Sequence, residues 1–326
     1  MKYVFLDSNI WLSVYHFTKD DLEQFKKLEE QLDKEISLIV TKQVVDEVRR
    51  NRENKLEDSL RSFVFPEIKF PAFCKNYDEY DSFHKQYQNL KKEFDNWFKV
   101  IKDDISNNNS PADNVIEDLF DSVSIALYDT EIIDKAKVRF DLGNPPGKKK
   151  SYGDSINWEI LLRLVPKGED LYFLSNDSDY CSKLDNTKFH PYLLGEWCTK
   201  KNSDIFFYKS LYEFLKDHFH EIELKSERIK EELIVGLRNS PNFSTTHSLI
   251  SQLNEYTDWT DEQISRLCAA GIKNSQVSRI LSDTDILHFY HSLLRNYDVE
   301  SSMDDSIIEI SEIIDNIIDD IRSNYD

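Results

Sequence analysis

The chain opens on a short hydrophobic run that ends in a carboxylate. Residues 3–6 are apolar and β-prone, and Asp7 ends the run with a charge. Ser8 and Asn9 then offer helix-capping side chains, and apolar residues at helical spacing begin at Ile10. This pattern predicts a buried strand followed directly by a helix. In open α/β sheets, the carboxyl end of such a strand is where ligands bind.

The alternation of strand and helix patterns continues to about residue 220. Hydrophobic runs at 36–40, 171–174 and 205–208 predict three more strands, and segments with helical spacing separate the strands. Strands that alternate with helices pair in parallel and bury both faces of the sheet. We therefore predict an α/β fold with a mainly parallel sheet and helices on both faces.

A long helical region separates the second and third predicted strands. Aromatic residues recur at helical spacing from 76 to 105, and shorter helical patterns follow around 115–120 and 132–138. We interpret the region of about 75–140 as a helical insertion in the α/β core. Its aromatic spacing favours packing over a base-stacking surface.

No strand pattern remains after residue 225. The last segment places isoleucines from Ile307 to Ile321 at three- and four-residue spacing, with acidic residues on the opposite side. This amphipathic helix needs to bury its isoleucines on the body, on a second copy or on a partner. We therefore divide the chain into an α/β domain, 1–225, and an acidic all-α C-terminal domain, 226–326. The isoleucine-rich helix is our candidate for a homodimer or protein-partner contact.

Composition limits the classes of function. The chain of 326 residues carries a net charge of −20, and the part from Ser226 onward has 8 Lys or Arg against 19 Asp or Glu. Strong acidity argues against broad nucleic-acid binding through many phosphate contacts, but it is compatible with clustered carboxylates that hold divalent cations. Four scattered cysteines and the lack of a membrane-span or signal-peptide pattern lead us to expect a cytoplasmic protein with no membrane association.

Four acidic positions share one structural description. Asp7 ends the first strand, Glu47 lies on the helix after the second, Asp154 opens a helix, and Asp177 ends the third strand with Asp179 behind it. In a parallel sheet these positions converge on one edge. Such a cluster repels itself unless cations neutralise it, and Mg²⁺ or Mn²⁺ prefers all-oxygen ligands. The pattern predicts a metal site able to hydrolyse a phosphodiester.

The order and flanking residues of these acids resemble the PIN-domain family of metal-dependent nucleases. The resemblance rests on Asp7-Ser8-Asn9, Glu47, Gly153-Asp154 and the segment from Ser175 to Tyr180, and it extends over roughly residues 2 to 220. It implies cleavage of single-stranded RNA, usually leaving a 5′-phosphate. It also implies that Asp7, Glu47, Asp154 and Asp177 are catalytic metal ligands, that Asp179 is an auxiliary ligand, and that Ser8, Asn9 and Ser175 are supporting residues.

The helical insertion and the C-terminal domain set this chain apart from the compact toxins of the family and resemble its larger, PIN-like members. A toxin or defence role is therefore an expectation at the level of the family only. Three basic residues on the second helix and three before the Gly-Asp pair flank the acids in sequence. These candidate phosphate-binding residues are Arg49, Arg50, Arg52, Lys148, Lys149 and Lys150.

Alternatives to an RNA-cleaving enzyme remain open at this point. The same acids could cleave DNA or flap structures, or the chain could be a non-catalytic binding or assembly protein with a vestigial site. A haloacid-dehalogenase phosphatase needs a second Asp two residues after the first, and Asn9 stands there. The segment 264–281, with Gly271 in an expected turn, superficially resembles a helix-turn-helix, but its acidic surroundings favour packed structural helices. The pairs His218/His220 and His288/His291 lack a third metal ligand nearby in sequence.

Overall fold

A parallel sheet organises the first part of the chain. The computed structural model describes residues 1–61, 63–147, 151–256, 259–295, 297, 299 and 304–323. All its strand pairs are parallel, with Leu6 beside Leu174 and Val4 beside both Leu38 and Tyr172. The four strands match the predicted ones and lie in the order β2-β1-β3-β4: β1 (Lys2–Leu6), β2 (Ile36–Ile39), β3 (Leu171–Leu174) and β4 (Ile205–Tyr208).

Nine helices accompany this sheet in the described part of the chain. The first two are separated by a 3-10 turn over Val14–His16. Thr41 caps the third helix, because its hydroxyl accepts a hydrogen bond from the Val44 amide at 3.0 Å. The helices are α1 (Ser8–Ser13), α2 (Lys19–Gln31), α3 (Lys42–Arg61), α4 (Tyr80–Ser106), α5 (Pro111–Asp121), α6 (Thr130–Asp141), α7 (Gly153–Leu164), α8 (Pro191–Lys201) and α9 (Leu211–His218).

The region of about 75–140 is helical, but its parts pack differently. α4, described over its whole length, has no buried side chain. Its rings pack on the preceding connector, with Phe63 and Phe94 centroids 5.1 Å apart, while Trp97 is 57% exposed. By contrast, Ile116 and Phe120 of α5 are buried in the main core. α4 is therefore an addition outside the α/β core, whereas α5 belongs to that core.

The C-terminal helices form a second hydrophobic core. They are α10 (Lys225–Arg238), α11 (Phe243–Leu253), α12 (Asp261–Lys273), α13 (Ser275–Ser278), α14 (Thr284–Leu294) and α15 (Asp305–Ser323). Ile307, Ile310 and Ile314 of α15 are buried in this core, where α15 packs on α12 and α14. The isoleucine face is thus buried within one chain, and a partner for the helix stays a prediction.

Gly271 lies inside α12 rather than in the turn expected from the sequence. A Cβ atom at this position would stand 2.8 Å from the Tyr290 hydroxyl and 2.9 Å from the Ile310 side chain. Glycine therefore allows α14 and α15 to approach α12 closely. Leu267, Cys268 and Val277 of the same segment are buried, so these are packed structural helices.

The two cores are joined at the start of α10. Asp21 of α2 is fully buried and accepts hydrogen bonds from the Ser226 hydroxyl and, at 3.4 Å, from the Ser226 amide. This contact holds α10 beside the α/β part. None of the helices that the structure describes combines the length and the hydrophobicity that crossing a lipid bilayer requires.

Candidate active site

The carboxyl ends of β1 and β3 meet at one edge of the sheet. Because the two strands are adjacent and parallel, Asp7 follows Leu6 where Ser175 follows Leu174. The Asp7 amide continues the ladder by donating to the Leu174 carbonyl at 2.9 Å. Asp7 is therefore buried between the two strand ends and is only 3% exposed.

Three neighbours fix the Asp7 carboxylate. One oxygen accepts from the Ser8 amide at 2.8 Å, so Asp7 also caps α1. The other accepts from the Asn9 side-chain amide at 2.9 Å and from the Ser175 hydroxyl at 2.7 Å. The structure therefore gathers the supporting residues predicted from the sequence around Asp7, with Ser8 acting through its backbone.

The same residues also shape the segment that carries Asp177. The Ser175 hydroxyl accepts from the Asp177 amide at 3.0 Å, and the Asn9 side-chain oxygen accepts from the Asn176 amide at 3.1 Å. Asp177 in turn caps the turn Ser178–Tyr180 by accepting from the Asp179 amide at 2.9 Å. Asp7 and Asp177 are thus held by one continuous hydrogen-bond network.

Asp154 reaches the site from the first turn of α7. Gly153 lies against α3, and a Cβ atom there would stand 2.6 Å from the Gln43 side-chain nitrogen. The Tyr180 hydroxyl donates to Asp154 at 3.3 Å. Burial raises the pKa of Tyr180 well above 10, and the charges of Asp154, Asp7 and Asp177 raise it further. One buried hydroxyl therefore senses all three carboxylates and stays protonated as a donor.

The carboxylates are close enough to change one another's ionisation. The pKa of Asp7 rises to about 7, first because of burial and then because of the negative charge of Asp154, with a smaller contribution from Asp177. Hydrogen bonds from Ser175 and Ser8 oppose this rise without cancelling it. At neutral pH, a proton or a cation is therefore needed to stabilise the cluster.

Glu47 lies on α3, which packs on α7, and Asp179 follows Asp177 by two residues. Glu47 is half-buried on α3, one turn after Gln43, whose side chain reaches Gly153. This spacing directs Glu47 to the face of α3 that packs on α7. Asp179 takes part through its backbone amide, which positions Asp177.

The donor chemistry fits a hard divalent cation. Within the described residues, no three His, Cys, Asp or Glu side chains stand close enough together to form a complete metal-binding group. Mg²⁺ usually takes only one or two carboxylates and completes its octahedron with water and substrate phosphates. Asp7, whose carboxyl pKa is raised partly by the charges of Asp154 and Asp177, supplies one such oxygen ligand, and either neighbour could supply a second.

One of the predicted phosphate contacts is wrong. The Nε and Nη2 atoms of Arg52 each donate to the Asp113 carboxylate at 2.6 Å. This ion pair is largely buried. Arg52 also donates to the Ile105 carbonyl. Its side chain therefore connects α3 to the start of α5 and is not available to phosphate.

The other basic candidates have separate outcomes. Arg49 forms an exposed ion pair with Glu117 at 2.7 Å, a type of contact that contributes little energy, and Arg50 is exposed. Phosphate binding by these two arginines stays a prediction. The remaining three candidates, Lys148, Lys149 and Lys150, lie outside the described residues.

Three contributors to the site have no clear role from sequence alone. Tyr180 follows Asp177 by three residues in the 3-10 turn, and this position is the one sequence signal that points to it. The roles of Gln43 and Asn157 follow only from the packing of α3 and α7. Asn157 is fully buried and accepts a hydrogen bond from the Thr41 hydroxyl at 2.6 Å. This bond ties the start of α3 to α7, which carries Asp154.

Comparison with protein families agrees with this geometry. The family model described as PIN domain matches residues 4–180, which is more than half of the chain and includes every predicted acidic ligand. The protein therefore belongs to the PIN domain family, whose members are generally nucleases, and the family indicates a nuclease-type function. Searches of curated proteins and of solved structures gave no significant match.

Proposed function

We propose that this protein is a metal-dependent endonuclease that hydrolyses phosphodiester bonds of single-stranded RNA. The observation that supports this proposal most strongly is the charge coupling of Asp7, Asp154 and Asp177 at the carboxyl edge of the sheet. Like charges around a buried aspartate are costly to the fold, and such arrangements are typical of functional sites. The preference for RNA follows the resemblance to PIN-domain nucleases.

In this proposal, Asp7, Asp154 and Asp177 hold Mg²⁺ or Mn²⁺, with Glu47 and Asp179 as further ligands. Such an ion supplies a water of lowered pKa and stabilises charge on the phosphate oxygens. The protein's own contribution is rigidity. Ser175 and Asn9 fix Asp7, and the Tyr180 hydroxyl holds one oxygen of Asp154.

The substrate partner in this proposal is RNA. A toxin or defence role would be consistent with this activity, because uncontrolled cutting of cellular RNA harms the cell that makes the enzyme.

We keep a homodimer or protein partner at α15 as a separate proposal. It rests on the half-buried Ile313, Ile317 and Ile318, which lie at the margin of the second core.

A paired cleavage assay tests the substrate. RNA and DNA of one sequence, each single-stranded and as a duplex, are incubated with Mg²⁺, with Mn²⁺ and with EDTA. We expect internal cuts in single-stranded RNA, with 5′-phosphate ends, only when the metal is present. Equal cutting of DNA would point to a DNA or flap nuclease. Cutting in EDTA would contradict metal dependence, and no cutting of any substrate would favour a binding or assembly protein.

A further inference from the structure

A cavity of about 300 Å³ lies beside Asp177, between the α/β part and the C-terminal helices. Asn9, Asn176 and Asp177 form the end next to the acidic cluster. Its other walls come from α1 and the turn after it, α3, the start of α9, and α10 and the start of α12. Its volume is at the lower end of the range for small-ligand sites.

Three lysines from three different elements line this cavity. They are Lys55 of α3, Lys209 just before α9 and Lys230 of α10. Lys230 is only 2% exposed, and its ammonium lies 2.9 Å from Glu227 and 5.6 Å from the Trp259 ring centroid. Asp177 and Glu227 also line the cavity, so the three ammonium groups outnumber the carboxylates by one. In a protein with a net charge of −20, this local excess of positive charge favours an anionic ligand.

His16 adds a neutral hydrogen-bonding group to the same wall. Its pKa falls to about 3, because of burial first and then because of the charges of Lys55 and Lys230. The imidazole is therefore uncharged at neutral pH. Among the described residues its Nε2 atom has no hydrogen-bond partner, although it is buried.

The side-chain oxygen of Asn176 is in the same state. It is buried, and no donor among the described residues reaches it. The backbone amide of Asn176 donates to the side-chain oxygen of Asn9. Buried polar atoms in native proteins are nearly always satisfied. Two such atoms on one cavity, His16 Nε2 and Asn176 Oδ1, indicate a polar ligand that supplies their partners.

Part of the remaining wall is apolar and aromatic. Phe17, Leu211 and Trp259 line the cavity together with the groups described above. Aromatic side chains stack on nucleobases of any sequence, and lysines bind the phosphates. A ligand that combines a flat ring, hydrogen-bonding edges and a phosphate matches the lysines, the two unpartnered polar atoms and the aromatic wall.

We propose that this cavity binds one nucleoside phosphate, with the phosphate at Lys55, Lys209 and Lys230 and the base against Trp259. Resting on the proposed nuclease function, this ligand is the nucleotide next to the bond that is cut. A cavity of about 300 Å³ that is lined by helices of both domains has room for a single extruded nucleotide but not for a duplex. The C-terminal helices would then form part of the substrate site and would select single strands.

Binding is measured in EDTA, so that the result does not depend on catalysis. Quenching of tryptophan fluorescence is followed as AMP, inorganic phosphate or a short single-stranded oligoribonucleotide is added. Of the five tryptophans, Trp259 lines the cavity, so W259F identifies its contribution. We expect K55Q and K209Q each to weaken AMP binding about tenfold, since each removes a charge-assisted hydrogen bond.

K135Q is the matched control, because Lys135 is exposed on α6 and its replacement changes the net charge equally. We expect K135Q to bind AMP as the wild type does, and thermal unfolding verifies that all variants fold. For the oligoribonucleotide, each lysine variant should also reduce the salt slope of log Kobs by about 0.7.

The outcomes separate the possible sources of the ligand. If the oligoribonucleotide displaces AMP, the cavity holds a nucleotide of the substrate strand. If AMP binds but the oligoribonucleotide does not compete, the ligand is a free nucleotide. If AMP leaves the Trp259 fluorescence unchanged, or if K55Q and K209Q bind like K135Q, the proposal is wrong. Binding in EDTA by a protein that cuts no substrate would contradict the nuclease function alone.

Discussion

Replacing Asp154 by Asn is expected to reduce metal-dependent RNA cleavage by more than about 100-fold and to leave the fold intact. Loss of a group that only orients a metal ligand costs 10- to 100-fold in metal affinity or activity, so loss of a charged ligand is expected to cost more. Asn retains the side-chain oxygen that accepts the Tyr180 hydrogen bond. The measurement is the initial rate of cleavage of single-stranded RNA at saturating Mg²⁺ or Mn²⁺.

Stability provides an independent readout for the Asp154→Asn variant. The pKa of Asp7 is about 7 in the folded protein and about 4 in the unfolded chain. The folded protein therefore loses stability as the pH rises from about 4 to about 7. The charge of Asp154 contributes to the raised pKa of Asp7, so removing that charge lowers it. We therefore expect the metal-free variant to be at least as stable as the wild type at neutral pH.

Asp134→Asn is the control for this experiment, because Asp134 is an exposed aspartate on α6. It changes the net charge equally and is expected to retain full activity. Equal rates for wild type and Asp154→Asn would show that Asp154 is not part of the catalytic site. A fall in rate that accompanies unfolding would assign Asp154 a structural role only.

Arg139→Met is expected to lower the free energy of unfolding by about 3–5 kcal/mol, the usual cost of breaking a buried ion pair from one side. The Arg139 guanidinium lies 2.7 Å from both Glu159 and Glu196 and donates to the Pro145 carbonyl. Burial favours the neutral form of Glu196. Hydrogen bonds from Arg139, Lys200 and Trp158 outweigh this effect and hold the pKa of Glu196 down at about 2. Removing Arg139 therefore leaves two carboxylates without their shared partner.

This substitution should also affect the site. Glu159 lies on α7, the helix that opens with Gly153 and Asp154. Arg139 therefore connects that helix to α6, to α8 and, through Pro145, to the loop that leads into it. We expect cleavage at saturating metal to fall in the same variant, at temperatures where it remains folded.

Two matched variants test this interpretation of Arg139. Arg163→Met removes an ion pair with Asp129 that is largely exposed, and we expect a cost of at most about 1 kcal/mol. Adding Glu159→Gln to Arg139→Met should restore part of the lost stability, because it removes the buried charge that Arg139 alone compensated, whereas Glu196 keeps its bonds from Lys200 and Trp158. Chemical denaturation measures all three variants. Equal costs for Arg139→Met and Arg163→Met would contradict the buried-network interpretation.

The strands and the strand-end acids could be predicted because both depend on local pattern. Hydrophobic runs ending in polar residues define β1 and β3, and parallel pairing then brings Asp7 and Asp177 to one edge. α8 was not predicted as a separate element. Its apolar residues follow no clear helical stripe, and Gly195 interrupts it.

Long-range pairing could not be predicted from the sequence. Arg52 stands in a basic run that resembles a phosphate site, but its partner Asp113 is 61 residues away. In the same way, Lys55 follows Glu47 by two helical turns and Lys209 follows β4 directly, yet only packing brings them together with Lys230. Local pattern shows which side chains stand at strand ends, whereas the docking of α10 and α12 decides which of them share a cavity.

The most direct test of the metal site is anomalous diffraction from crystals soaked in Mn²⁺. We expect a manganese peak bounded by Asp7, Asp154 and Asp177 in the wild type, and its loss in Asp154→Asn crystals. A wild-type map with no peak there, from crystals that bind manganese elsewhere, would contradict the central claim that these carboxylates hold the catalytic ion.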